Sequence, residues 1–417
     1  MKNKTNKVEL LAPAGDIEKL QTALHFGADA VYLGGSSFGL RAYAGNFDNS
    51  GLQEAVKLAH DWGARVYVTA NIFARDAMFA ELNKYFAFLQ DICADGVIVS
   101  DLGVLQSAKK YAPKIEIHIS TQAGVTNAEA ANAYAALGAS RVILARECTL
   151  EQVKYIAKHA LCQTEVFVHG AMCVSFSGRC LLSDYYTQRK SNLGECVQAC
   201  RWKYGVRPLE IFPVDNAEQT LELYEDKEGS YLLNSKDLNM LNYLSELVEG
   251  GVSSLKIEGR MKSPYYLATV VNAYRRALDG KTPSRGFTER LQEELDKASH
   301  RSYTSGFYFE DKGVQKQFYQ SSRTEGSSRF VAVVKGCETG RVTVEMRNRF
   351  YEGETLEVLS PLDTFAQKII VANLVEEGKG KCADAKNVQG IYSFDCPLAL
   401  CGGDILRGES LKKDYNN

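Results

Sequence analysis

Four cysteines stand close together in the middle of the chain. Cys173, Cys180, Cys196 and Cys200 fall within 28 residues, in the stretch "CVSFSGRCLLSDYYTQRKSNLGECVQAC". Four thiolates suit an iron–sulfur cluster, because soft sulfur ligands match iron and neutralise its charge. A four-cysteine zinc site is the competing chemistry. Structural zinc sites usually pair their cysteines in two short knuckles. Here the intervening residues number 6, 15 and 3, so only one pair is close. Inert thiols are the third reading. The remaining cysteines, at 93, 148, 162, 337, 382, 396 and 401, are scattered and read as ordinary buried thiols.

A second set of polar residues closes apolar, β-rich runs: Asn71, Asp101, Gln122, Arg146, Glu147, His169, Glu258 and Arg260. Singly, each could be a structural hydrogen-bonder. Jointly they suit a substrate pocket. His169 lies four residues before Cys173 and reads equally as a donor to a ligand, an acid–base group or a satisfied buried histidine. His169 and Glu258 are the candidate catalytic groups, with no acid or base assigned. Asn71, Gln122, Arg146, Arg260 and Lys262 are candidates for binding substrate. Arg260 and Lys262 sit where a strand enters a helix, a place that suits an anion; an ion pair that locks the fold reads equally well there.

Between Cys173 and Glu210 the formal side-chain charge is +3, and Tyr185, Tyr186, Trp202 and Tyr204 lie among the cations. Basic groups interleaved with aromatic platforms hold unpaired RNA bases. A solvated rim over core aromatics is the plain alternative. The whole chain, 417 residues with net charge −2, excludes a globally basic nucleic-acid binder. Gly35-Ser36-Ser37-Phe38-Gly39 matches a serine nucleophile elbow in letters only, because a loop-like stretch follows where a helix is required. No zinc-protease His-Glu-x-x-His and no phosphate loop occurs.

The elements that position these residues are legible. Val8–Ala12, Ala30–Gly34, Arg65–Asn71, Gly96–Asp101, Ile115–Gln122, Arg141–Glu147, Thr164–Gly170 and Ser253–Arg260 are strand-like, with amphipathic helical stretches between them. "FGADAVYLGG", "DWGARVYVTAN" and "ALGASRVILARE" repeat one order: helix, glycine stop, buried strand. Eight βα units predict an α/β protein with a (β/α)8 TIM-like barrel over 1–285; a doubly wound open sheet is the alternative. The eighth strand starts 89 residues after the seventh. That spacing predicts a long cysteine-rich insertion (171–237) after strand seven, with a helix over Leu238–Glu249 leading into strand eight. Residues 286–328 read as a helical and aromatic connector. From Arg329 the pattern turns to short strands and glycine turns, predicting a small C-terminal β-barrel domain (329–417). No apolar run is long enough for a membrane helix and the N-terminus lacks a signal-peptide pattern, so a cytoplasmic location is expected.

The motifs "LLAPAGDIEKLQTALHFGADAVYLGG" (10–35), "FVHGAMCVSFSGRCLLS" (167–183), "CVQACRWKY" (196–204) and "SLKIEGRMKSPYYLATVVNAYR" (254–275) resemble the peptidase U32 family. Within it, the resemblance is to the bacterial tRNA 5-hydroxyuridine modification proteins and extends over nearly the whole chain. It implies oxygen-independent, prephenate-dependent hydroxylation of the wobble uridine 34 of tRNA. It also implies a [4Fe–4S] cluster on Cys173, Cys180, Cys196 and Cys200, prephenate as co-substrate and the tRNA anticodon loop as partner. An electron donor or a paralogous U32 subunit would complete the system. The family name implies the alternative, a collagenase-like peptidase, for which the sequence offers no recognisable protease constellation. A third reading is a non-catalytic, cluster-bearing subunit that binds RNA.

Overall fold

The computed structural model describes residues 8–39, 45–172, 225–226, 229–230, 235–280, 285–309 and 326–409. They divide into two compact units. The first is built on eight parallel strands: β1 (Glu9–Pro13), β2 (Ala30–Gly34), β3 (Arg65–Thr69), β4 (Gly96–Val99), β5 (Glu116–Ile119), β6 (Arg141–Ile143), β7 (Gln163–Ala171) and β8 (Ser254–Ile257). Each pairs with the next in parallel, and β8 pairs with both β7 and β1, so the sheet closes into a barrel. The strands are buried on both faces, which is why they read in sequence as apolar runs rather than alternating ones.

Helices α2 (Asn49–Asp61), α3 (Phe79–Asp91), α4 (Leu102–Tyr111), α5 (Ala128–Ala136) and α6 (Leu150–His159) connect the strands of this unit. Their starts are fixed by side-chain caps. Asp48, Asp101 and Asn127 each accept from a backbone N–H of the first turn, and Thr149 with Gln152 forms a capping box. Gly35 itself bridges to Phe47, and the described residues 36–39 that follow it are not helical, unlike a serine elbow.

Two stretches differ from expectation. The run predicted as strand through Gln122 ends at Ile119, and Thr121–Ala123 is a 3-10 turn capped by the Ser120 hydroxyl. The helix expected from Leu238 starts only at Leu244. Asp237–Asn239 is instead a short strand, antiparallel to the end of β7 and parallel to Tyr303–Thr304. The Asn239 side chain then accepts from Leu241 N, turning the chain toward the helix.

The second unit gathers α1 (Ile17–His25), the helices Pro264–Asp279 and Arg285–Leu295, and an antiparallel sheet that starts at Ser328. Ser263 caps the first of these helices and Pro264 opens it. The sheet packs around Val331, Val342, Val344, Phe350, Leu356, Tyr392, Phe394 and Leu406. Its strands alternate buried and half-buried residues, as in Arg341–Met346, so one face is core. No helix occurs among described residues 326–409. No helix among the described residues is long and apolar enough to cross a membrane.

Candidate functional site

The carboxyl ends of the barrel strands bring most of the strand-end residues to one mouth. After β3, Asn71 Nδ2 donates to Gln122 Oε1 at 2.7 Å. Ser100, after β4, and Ser120, after β5, each donate to the same oxygen at 3.0 Å. After β6, the Arg146 guanidinium lies 3.8 Å from the centre of the Phe167 ring and donates to Ala171 O at 3.0 Å. Arg146 thereby anchors the last residue of β7. Glu147 follows it, half-buried, in the loop before α6.

His169 and Glu258 are neighbours on β7 and beyond β8. Ile257 pairs with His169, Glu258 N donates to His169 O at 2.8 Å, and the register slips between Lys256 and Ile257. Such a bulge re-aims side chains beside a site. Gly170, at φ +105°, permits this contact, since a Cβ there would stand 2.3 Å from the Glu258 carbonyl oxygen. Tyr32, reaching from β2, donates to Glu258 Oε2 at 3.0 Å. The His169 ring lies 5.4 Å from that of Tyr303.

Arg260 completes the mouth. It bonds Asn46 Oδ1 at 2.6 Å and Thr69 Oγ1 at 3.5 Å. Its guanidinium presses on Gly34, where a Cβ would come within 2.5 Å of Nη1. Tyr85 is close to this cation, but burial dominates and pushes its phenol up.

Two further strand-end candidates have partners of their own. Asp101 accepts from Val104 N at 3.0 Å and caps α4. Lys262 falls in the second unit, where its ammonium donates to Ser299 O at 3.2 Å and lies over the Tyr266 ring. Conversely, Tyr32, Asn46, Thr69, Ser100, Ser120 and Phe167 belong to the site and were not singled out in sequence. Tyr32 and Phe167 lie inside apolar runs, so nothing local marks them.

Cys173, Cys180, Cys196 and Cys200 lie outside the described residues. Asp237, at the end of the insertion, pairs with Ala171 at its start. Among the described residues no three His, Cys, Asp or Glu side chains converge as a metal site.

The Peptidase family U32 model matches residues 15–318, and the Peptidase family U32 C-terminal domain model matches 327–407. The chain belongs to the peptidase U32 family. It is similar to "tRNA hydroxylation protein P1" of Bacillus subtilis (strain 168), 37% identical over 97% of this chain and 95% of that one. It is similar to "23S rRNA 5-hydroxycytidine C2501 synthase" of Escherichia coli (strain K12), 34% identical over 74% of this chain and 46% of the other. A "Collagenase" of Porphyromonas gingivalis is 31% identical, over 73% of this chain and 74% of its own length.

Proposed function

We propose that this family member is a tRNA-modifying enzyme that hydroxylates carbon 5 of the wobble uridine 34 in an oxygen-independent, prephenate-dependent reaction. The observation that carries the reading is a barrel mouth whose strand ends offer an amide at Gln122 and guanidinium groups at Arg146 and Arg260. An unpaired base needs hydrogen-bonding donors and acceptors in a confined site, and an anion needs cations. The near full-length likeness to a tRNA hydroxylation protein supports RNA as the substrate class. The anticodon loop presents the base unpaired, so extrusion from a helix costs little.

In this reading Arg260, held by Asn46 and Thr69, takes an anionic group: an RNA phosphate or the prephenate carboxylate. Phe167, beneath Arg146, fixes that guanidinium in place. Tyr32 orients the Glu258 carboxylate, and His169 stands beside it as the second proton-handling candidate. Cys173, Cys180, Cys196 and Cys200 would hold a [4Fe–4S] cluster, since four soft thiolates match it. Such a cluster would supply one-electron chemistry, with an electron donor or a paralogous subunit as its partner.

Each cysteine replaced by alanine should lower bound iron in anaerobically purified protein. Full iron content in the Cys173→Ala and Cys180→Ala proteins would remove the cluster assignment. The peptidase alternative predicts measurable peptide cleavage by purified protein and unchanged tRNA nucleosides in its absence.

A further inference from the structure

Gln122 is 4% exposed, and its carboxamide has a fixed direction. The oxygen accepts from Asn71 Nδ2, Ser100 Oγ and Ser120 Oγ, which saturates a carbonyl with two lone pairs. The two hydrogens on Nε2 meet no acceptor among the described residues. Turning the amide over would set its nitrogen against the Asn71 Nδ2 donor, whereas the two hydroxyls can accept as readily as donate; Asn71 therefore sets the direction. Buried polar groups left unmade are costly, so the network selects one orientation. A locked amide in a polar mouth, with its donor side unspent, is built to meet an acceptor on a ligand.

We propose that the Gln122 side-chain amide is the specificity-determining donor of the mouth, reading the C4 carbonyl of uracil and rejecting cytosine. Uracil carries an oxygen acceptor at C4. Cytosine carries an amino donor there, so its N–H would face an N–H that Asn71 disfavours turning away. The Asn71 Nδ2 donor behind Gln122 makes this discrimination possible, because an unrestrained glutamine would flip and accept either base. The inference rests on the tRNA-uridine reading and names the atom that enforces it.

The test uses the full-length protein and anticodon stem–loop RNAs that differ only in U34 or C34. Wild type should bind and hydroxylate the U34 loop in preference, by roughly 10- to 100-fold, the range of one good base-edge contact. Gln122→Glu puts an acceptor where the donor stands and should cancel or invert that ratio. Should that variant fold poorly, Asn71→Asp replaces the orienting donor by an acceptor, turns the Gln122 nitrogen toward residue 71 and should narrow or invert the ratio. Equal binding of both loops by wild type overturns the proposal. So does an unchanged ratio in both variants, or an effect confined to the requirement for the carboxylate co-substrate. Failure of the underlying reading shows separately, as unaltered 5-hydroxyuridine in tRNA from cells lacking the protein.

Discussion

Two arginines five residues apart on one segment, Arg141 and Arg146, mark the two ends of the barrel and are treated in opposite ways. Arg141, at the amino end of β6, is fully buried and meets two carboxylates: Glu9 at 2.6 Å and Glu165 at 3.0 Å. Gln163 Oε1 accepts from its Nε and Nη2, and Nη2 also reaches Glu9 Oε2 at 3.5 Å. Glu165 also takes Lys256 at 2.8 Å, and Glu9 accepts from Ser254 and Tyr67. Every charge in that cluster is met by an opposite charge, as a buried pair must be to survive desolvation. Arg146, at the mouth, is half-buried and rests on a carbonyl and an aromatic ring among the described residues. The closed cluster ties strands β1, β6, β7 and β8 to one another. No carboxylate among the described residues pairs with the cation at the mouth.

The largest expected effect breaks the closed end. Glu165→Ala leaves Arg141 and Lys256 sharing too few carboxylates, and should cost about 3–5 kcal/mol in urea unfolding. A loss below about 1 kcal/mol would mean the cluster is not what holds those strands. Acid probes the same group more gently. Burial alone would raise the Glu165 carboxyl, but Lys256 and Arg141 outweigh it and hold the pKa down to about 2. A depressed carboxyl stabilises the fold above its ordinary range, and that share is lost as pH falls toward 2. It amounts to about 3 kcal/mol. In the Glu165→Gln protein the melting temperature should therefore fall less steeply between pH 4.5 and 2.5 than in wild type.

Arg146→Met sharpens the contrast from the other side. With no carboxylate partner among the described residues, its loss should change stability by no more than about 1 kcal/mol, the worth of one hydrogen bond. Affinity for anticodon stem–loop RNA or for the anionic co-substrate should drop at least about tenfold, as for a cation facing a ligand charge. A variant that binds normally but melts early would make Arg146 a structural residue like Arg141.

The contrast between the ends also marks what a sequence can reveal. The strands were legible because burial on both faces makes them continuous apolar runs with glycine stops, as in "FGADAVYLGG". The polar strand ends were legible for the same reason: a lone Gln122 or Arg146 stands out against such a run. Their partners were not. Glu9 and Arg141 lie 132 residues apart and meet only through the barrel's closure. The three-fold grip on the Gln122 oxygen depends on how the ends of β3, β4 and β5 line up, which no local pattern encodes. The strand at Asp237–Asn239 was hidden because Leu238 fits a helical pattern as well as a ladder with Gly170.

The most direct test of the account is a nucleoside measurement. tRNA is digested from cells with and without this protein, in a background stripped of any redundant hydroxylase, and 5-hydroxyuridine-derived nucleosides are quantified by mass spectrometry. The account predicts their loss without the protein and their return with wild type. Equal amounts in both strains, with peptide cleavage by the purified protein, would contradict it.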